Sequence, residues 1–252
     1  MSFDVAADAY DRFMGRWSRQ LSAPLADFAG VAAGMRALDV GCGPGALTGE
    51  LVDRLGAGAV AAVDPAERFV AALRARHPDV AASRAAAEAL PFADDVFDAA
   101  LAQLVVHFMA DPVAGLREMG RATRPGGVVA ACVWDHGGGQ GPLTPFWQGV
   151  KARDPGAEDE SELAGAREGD LPALFAAAGL RDVEATALPV GRDYASFEDW
   201  WEPYTLRVGP AGAYVAALGP EDRDALRERC RALVPEGPFT LTARAWAARG
   251  RP

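Results

Sequence analysis

The stretch Leu38-Asp39-Val40-Gly41-Cys42-Gly43-Pro44-Gly45 constrains this chain more than any other. Leu38 and Val40 close a short apolar run, three glycines follow on alternate positions, and Leu47, Leu51, Val52 and Leu55 then recur at helical spacing. The pattern predicts the end of a buried strand, a glycine turn and a helix over 46–55. Glycines there leave bare backbone at a helix N-terminus, where unpaired N–H groups point outward. Such a turn is a ligand site in an α/β sheet.

Two cofactor classes can use it. As G-x-G-x-x-G/A, Gly41, Gly43 and Ala46 match a dinucleotide fingerprint, with Asp64 roughly 20 residues on, where a ribose-binding acid is expected. Asp39 argues the other way: a carboxylate is the wrong charge beside a pyrophosphate, which needs a positive helix end and bare N–H groups. It suits a ligand with an ammonium and a sulfonium, and S-adenosylmethionine has both and no phosphate.

Strand and helix signals then alternate. Ala59 to Val63 is an apolar strand ending in Asp64-Pro65, and Phe69, Val70 and Leu73 follow at helical spacing. Asp64 at that strand end could accept from both hydroxyls of a ribose, or cap the helix after it. Val80 to Ser83 gives a weak third strand and Ala99 to Val105 an apolar fourth. A helix opening at Asp111-Pro112 stops at Arg124-Pro125-Gly126-Gly127, and Val128 to Trp134 is a fifth strand. Five alternations favour a doubly wound, mostly parallel sheet with right-handed crossovers.

Composition bounds the function. The 252 residues, 50% hydrophobic, suffice for one substantial core. A net charge of -10 opposes nucleic-acid binding, which needs a basic face. The sequence has no apolar run of membrane-spanning length and no secretory h-region, and Cys42, Cys132 and Cys230 stand too far apart for a zinc knuckle or disulfide framework. These features predict a soluble, reduced, cytoplasmic protein with no nucleic-acid partner, no membrane span and no metal.

From Leu38 to Trp134 the chain resembles the class I S-adenosylmethionine-dependent methyltransferases, in particular the small-molecule group with quinone- and sterol-type enzymes. The matching pieces are Asp39 to Gly45, Asp64-Pro65, Ala87-Glu88-Ala89-Leu90-Pro91-Phe92, Phe97-Asp98 and Arg124-Pro125-Gly126-Gly127, in that order. The resemblance implies a seven-stranded Rossmann-like sheet, S-adenosyl-L-methionine as cofactor and S-adenosyl-L-homocysteine as product. It implies that the Gly41-Cys42-Gly43 backbone approaches the methionyl moiety, with Asp39 under its ammonium directly or through water. Asp64 takes the ribose hydroxyls, Pro65 packs near the adenine, and the Ala87-Glu88 backbone holds the adenine edge. Many relatives have Asp before that Ala-Glu pair and this chain has Ala86, so the adenine amino group meets water or another acid such as Glu88. Gln103 faces the cofactor from the exit of strand four, and His107 lies near where the methyl emerges.

The ends of the chain carry the acceptor-side candidates. The opening segment, domain 1–33, holds Tyr10, Arg16 and Trp17; it reads as a lid whose Arg16 reaches the cofactor carboxylate and whose Tyr10 shapes the pocket, or as a mobile end packed on the domain. Ser22 to Val31 follows as an amphipathic helix. The core is expected over 34–190, with a polar, solvated coil over 154–169, a helix over 170–179 and a sixth strand over 183–190. A helical cap insertion, 191–238, separates that strand from the last one, in 239–252. Trp134 and the cap's Phe197, Trp200, Trp201 and Tyr204 line an acceptor pocket or form the cap's own core. His107 and, more weakly, His136 are candidate general bases, either of which could instead serve structure alone. Three functions remain open: methyl transfer to O, N or C of a small, partly apolar metabolite; hydride transfer with a nicotinamide dinucleotide, opposed by Asp39 and Pro44-Gly45; or S-adenosylmethionine binding without catalysis.

Overall fold

The computed structural model describes residues 7–252. A helical arm opens it: α1 (Ala7–Tyr10), a π-turn (Asp11–Gly15) and α2 (Arg16–Ala29). The amphipathic helix expected from Ser22 thus begins earlier. Pro24 interrupts its ladder but does not end it. The Ser18 and Ser22 hydroxyls donate back to the Met14 and Ser18 carbonyls at 3.0 and 2.9 Å, a bond helices tolerate at the cost of a slight bend.

The sheet follows with its helices: β1 (Ala37–Val40), α3 (Ala46–Leu55), β2 (Val60–Asp64), α4 (Glu67–Arg76), β3 (Ala81–Arg84), β4 (Phe97–Gln103), α5 (Pro112–Ala122) and β5 (Thr123–Trp134). Then come α6 (Thr144–Lys151), α7 (Asp170–Ala177), β6 (Arg181–Tyr194), α8 (Phe197–Trp201), α9 (Gly209–Ala217), α10 (Pro220–Arg231) and β7 (Phe239–Arg251). Strand order is β3-β2-β1-β4-β5-β7-β6, with β7 antiparallel to both its neighbours and the other pairings parallel. This is the expected doubly wound, seven-stranded sheet, and a helical insertion separates the last two strands in sequence.

Three boundaries differ from the sequence reading. The Arg124-Pro125-Gly126-Gly127 segment does end α5, yet it already belongs to β5: Thr123 pairs with Phe97, and an irregularity carries the ladder on to Ala99 and Val128. Strands β6 and β7 run longer than expected because each is the other's partner along nearly their whole length. The segment 154–169 is not wholly solvated, since Glu160 is 4% exposed and Ala166 fully buried.

Alternation along β1 separates two cores. Leu38 and Val40 face one layer with Phe97, Leu116, Met119 and Phe175. Ala37 joins the other, which runs from Leu21 and Leu25 of α2 through Leu47 and Leu51 to the rings of the insertion. Asp39 lies on this second face and therefore points at α3, where Thr48 meets it. The helical arm, the insertion and one face of the sheet thus share a core, which brings the arm and the insertion over the carboxyl edge of β1 and β4.

Candidate functional site

The glycine turn lies at that edge. Gly41 and Cys42 donate to the Val63 carbonyl at 2.8 and 2.9 Å, which ties the turn to the end of β2. Gly41, Gly43 and Gly45 all have φ in the left-handed region. At Gly41 a Cβ would stand 2.4 Å from a methyl of Val105. Substitution there meets both a strained backbone and a collision. Gly41→Ala is expected to lower thermal stability and to weaken any ligand of the turn at least tenfold, as read by melting and calorimetry; unchanged values in both would contradict this geometry.

A cleft of ≈ 460 Å³ opens above the turn, lined by Gly41, Gly43, Asp64, Pro65, Ala86, Ala87, Glu88, Gln103 and Tyr10 among others. Asp64 spends one oxygen on the Gly43 N–H at 2.9 Å and the other on the Ala66 N–H at 2.8 Å, so it steadies the turn and the start of α4 together. A carboxylate has about four acceptor positions, and this one keeps the remainder for a ligand. Burial raises its pKa. Glu88 accepts from Ala110 and Asp111 N–H groups at 2.8 and 3.2 Å, which fixes the wall where Ala86 stands.

A deeper recess of ≈ 20 Å³ lies behind the turn, bounded by Tyr10, Ser18, Asp39, Gly41, Cys42 and Gln103. Asp39 is 1% exposed and accepts from the Thr48 hydroxyl at 2.6 Å. Burial, reinforced by the Asp64 charge, pushes it up to about 7. The Gln103 amide donates to the Ser18 carbonyl at 3.0 Å, while its Oε1 is buried with no hydrogen-bond partner. A carboxyl and a spare carbonyl oxygen, both buried and both acceptors, form a seat for a hydrogen-bond-donating cation.

A third space of ≈ 40 Å³ adjoins the cleft and shares Tyr10, Leu104 and Phe108 with it. His107, His136, Trp134 and Glu160 line it, with Val208 to Pro210 of the insertion on the far side. Leu104 reaches both spaces from a backbone with φ of 62°, an unusual conformation for a bulky residue and a cost of roughly 1–3 kcal/mol borne where β4 ends. The His107 and His136 rings are 6.3 Å apart. Burial pushes them down to about 3 and about 4, so both are neutral over the physiological range. The Nδ1 of His107 has no partner.

Other candidates lie elsewhere. Arg16 does not reach the cleft: its guanidinium pairs with Asp199 at 2.8 Å and joins the arm to the insertion. Trp17 packs on Trp134 and donates to the Tyr194 hydroxyl at 3.1 Å. Trp200, Trp201 and Tyr204 face neither the cleft nor the space beside it; they stack with Phe197 and Phe146 in the interior. Their aromatic spacing is core, because the arm and α6 cover the face they present. Of the proposed acceptor-side aromatics, Tyr10 and Trp134 line the space beside the cleft, whereas Trp17, Trp200 and Tyr204 border a separate void of ≈ 10 Å³. Glu160 was missed in sequence, where it sits in an acidic run that reads as solvated.

Among the described residues no His, Cys, Asp and Glu group could hold a metal ion, and no helix is long and apolar enough to cross a membrane. Residues 38–131 match a methyltransferase domain model. An uncharacterised methyltransferase of Mycobacterium tuberculosis is 38% identical over 135 residues, 54% of this chain and 52% of the relative. Demethylmenaquinone methyltransferase of Mycolicibacterium paratuberculosis is 41% identical over 103 residues, 41% of this chain and 43% of the relative. The chain thus spans about half the length of the curated relatives it matches. Geranyl diphosphate C-methyltransferase from Streptomyces coelicolor, solved with Mg²⁺, geranyl diphosphate and S-adenosyl-L-homocysteine, superposes with a TM-score of 0.56 at 16% identity, covering 94% of this chain and 80% of that one. Residues 38–131 are therefore a methyltransferase domain, and the chain that carries them has the fold of the class I S-adenosylmethionine-dependent methyltransferases.

Proposed function

We propose that this chain binds S-adenosylmethionine in the ≈ 460 Å³ cleft and transfers its methyl group to an O, N or C atom of a small, partly apolar metabolite. One observation carries the reading: the buried acceptor pair of Asp39 and the unpartnered Gln103 Oε1 in the recess behind Gly41 and Gly43. That pair suits the ammonium of a methionyl group and has no use for a pyrophosphate, which weighs against a dinucleotide.

When bound, the cofactor supplies a methyl on a positive sulfonium: the acceptor's electron pair forms the new bond as the S–CH₃ pair returns to sulfur, leaving a neutral thioether. No acid is needed for that leaving group. The chain's residues hold and align the reactants. Gly41, Cys42 and Gly43 let the methionyl end approach the backbone, Asp39 and Gln103 fix its ammonium, and Asp64 takes the ribose through its free lone pairs. Pro65, Ala87 and Glu88 border the adenine end. Arg16 is outside this set because Asp199 holds it. Tyr10, Leu104 and Phe108 bound the passage from the cleft to the space beside it and keep water from the transfer. His107, neutral and with Nδ1 unpaired, is placed to accept a hydrogen bond from the acceptor and orient it.

Calorimetry with S-adenosylmethionine, S-adenosylhomocysteine and NAD tests the cofactor: both adenosyl ligands bind and NAD does not. Tight NAD binding without a response to the other two overturns the reading. Methyl release from labelled cofactor into an acceptor panel separates catalysis from binding alone. For this contact, His107→Gln is expected to lower turnover about three- to tenfold, the size of one lost hydrogen bond, with cofactor affinity unchanged. Because burial holds His107 near 3, the rate should show no inflection near pH 6.5 from this group. Full turnover in the variant would remove His107 from the acceptor's alignment.

A further inference from the structure

We propose that Glu160, with His107 and His136, forms an acceptor subsite that takes the hydroxyl group of a neutral apolar molecule, a phenol or an enol; this rests on the methyltransferase reading and specifies its substrate class. The three side chains converge on the ≈ 40 Å³ space that shares Tyr10, Leu104 and Phe108 with the cleft. Glu160 is 4% exposed and its Oε2 has no hydrogen-bond partner. The Trp147 indole lies beside it without closing a hydrogen bond. Among the described residues Glu160 is in no ion pair, and the neighbouring charges are engaged with one another: Lys151 with Asp159 at 2.6 Å, and Arg244 with Asp135, 2.9 Å from Nε. A buried carboxyl oxygen without a partner, here Oε2, is rare in folded proteins and marks a place where a partner is to arrive.

The chemistry of that partner follows from what lines the space. An anionic acceptor would face the Glu160 carboxylate and find no Lys or Arg among the described residues lining the cavity. An ammonium would have to leave water for a wall of Phe13, Met14, Leu104 and Trp134, the same surroundings that keep both histidines uncharged. A hydroxyl meets neither cost. It donates its one hydrogen to the Glu160 carboxylate or to the free Nδ1 of His107, and accepts from a histidine N–H. As the oxygen pair forms the O–CH₃ bond, the hydroxyl proton passes to the Glu160 carboxylate, and the S–CH₃ electrons return to the cofactor sulfur. Burial pushes Glu160 up to about 7, which leaves it able to receive that proton near neutrality.

Four probes of one shape decide it: p-cresol, toluene, benzylamine and benzoate, titrated by calorimetry into the full chain saturated with S-adenosylhomocysteine. p-Cresol should bind at least tenfold tighter than toluene and tighter than either charged probe. Glu160→Gln, which keeps the shape, should reduce that preference to under threefold while the affinity for S-adenosylhomocysteine holds within twofold. Equal binding of toluene, tighter binding of benzylamine, a preference that survives in the variant, or no binding of any probe overturns the proposal. If Glu160→Gln does not fold, the probe series on the wild-type chain decides by itself. Failure of S-adenosylhomocysteine to bind would instead remove the methyltransferase reading, and the same series without it still reads the subsite.

Discussion

Asp39→Asn is expected to weaken S-adenosylmethionine and S-adenosylhomocysteine alike by about 10- to 100-fold, some 1.4–2.8 kcal/mol, the size of a charge-assisted hydrogen bond. Both ligands carry the same ammonium, so a loss confined to the sulfonium form would contradict the assignment. Asn keeps an oxygen for the Thr48 hydroxyl, now 2.6 Å away, so the fold should survive the change. The pH dependence is equally specific. The folded value of about 7 lies above the ordinary 3.8, so the folded chain holds an extra proton between those limits. Stability from this group is therefore present at low pH and is lost as pH rises from about 4 to 7. A bound ammonium favours the carboxylate, so affinity should climb as pH rises toward 7 and level off above it, with a proton released on binding below 7. Calorimetry in buffers of different ionisation enthalpy counts that proton, and Asp39→Asn should abolish both the release and the slope.

Trp200→Ala should destabilise the chain by about 3–5 kcal/mol, which for a chain of this length lowers the melting temperature by roughly 6–20 °C. The side chain is 2% exposed and packs against Phe197, Trp201 and Tyr204, with ring centroids 5.7, 6.4 and 5.0 Å away. Its indole N–H has no partner, so Trp200→Phe gives up an unsatisfied donor along with some volume and should cost far less. If Trp200 lined an acceptor pocket instead, Trp200→Ala would impair turnover while leaving the melting temperature near that of the wild type.

The contrast between Trp200 and Glu160 explains how far sequence reaches in this molecule. The turn from Leu38 to Gly45 is read correctly because its neighbours in space are its neighbours in the chain: strand, glycines and helix define one another. Asp64 is read as a cleft residue for the same reason, at a fixed place after an apolar strand. Its bonds to Gly43 and Ala66 tie the turn to the segment ahead of α4, whose N-cap is Ala66 and carries no side-chain bond. Arg16 and the insertion's aromatics depend on contacts across more than a hundred residues. Arg16 is drawn to Asp199, and Phe13 of the π-turn and Phe146 of α6 cover the rings that helical spacing alone leaves free to face a pocket.

By itself the sequence determined the alternation of strands and helices, the parallel sheet and the glycine turn. These follow from local rules of burial, backbone freedom and helix termini, which act over a few residues. The tertiary structure alone decided which polar groups are deprived of water. Asp39 and Gln103 behind the turn, and Glu160 with His107 beside it, acquire their chemistry from burial by distant segments, because desolvation depends on everything that surrounds a group and not on its place in the chain.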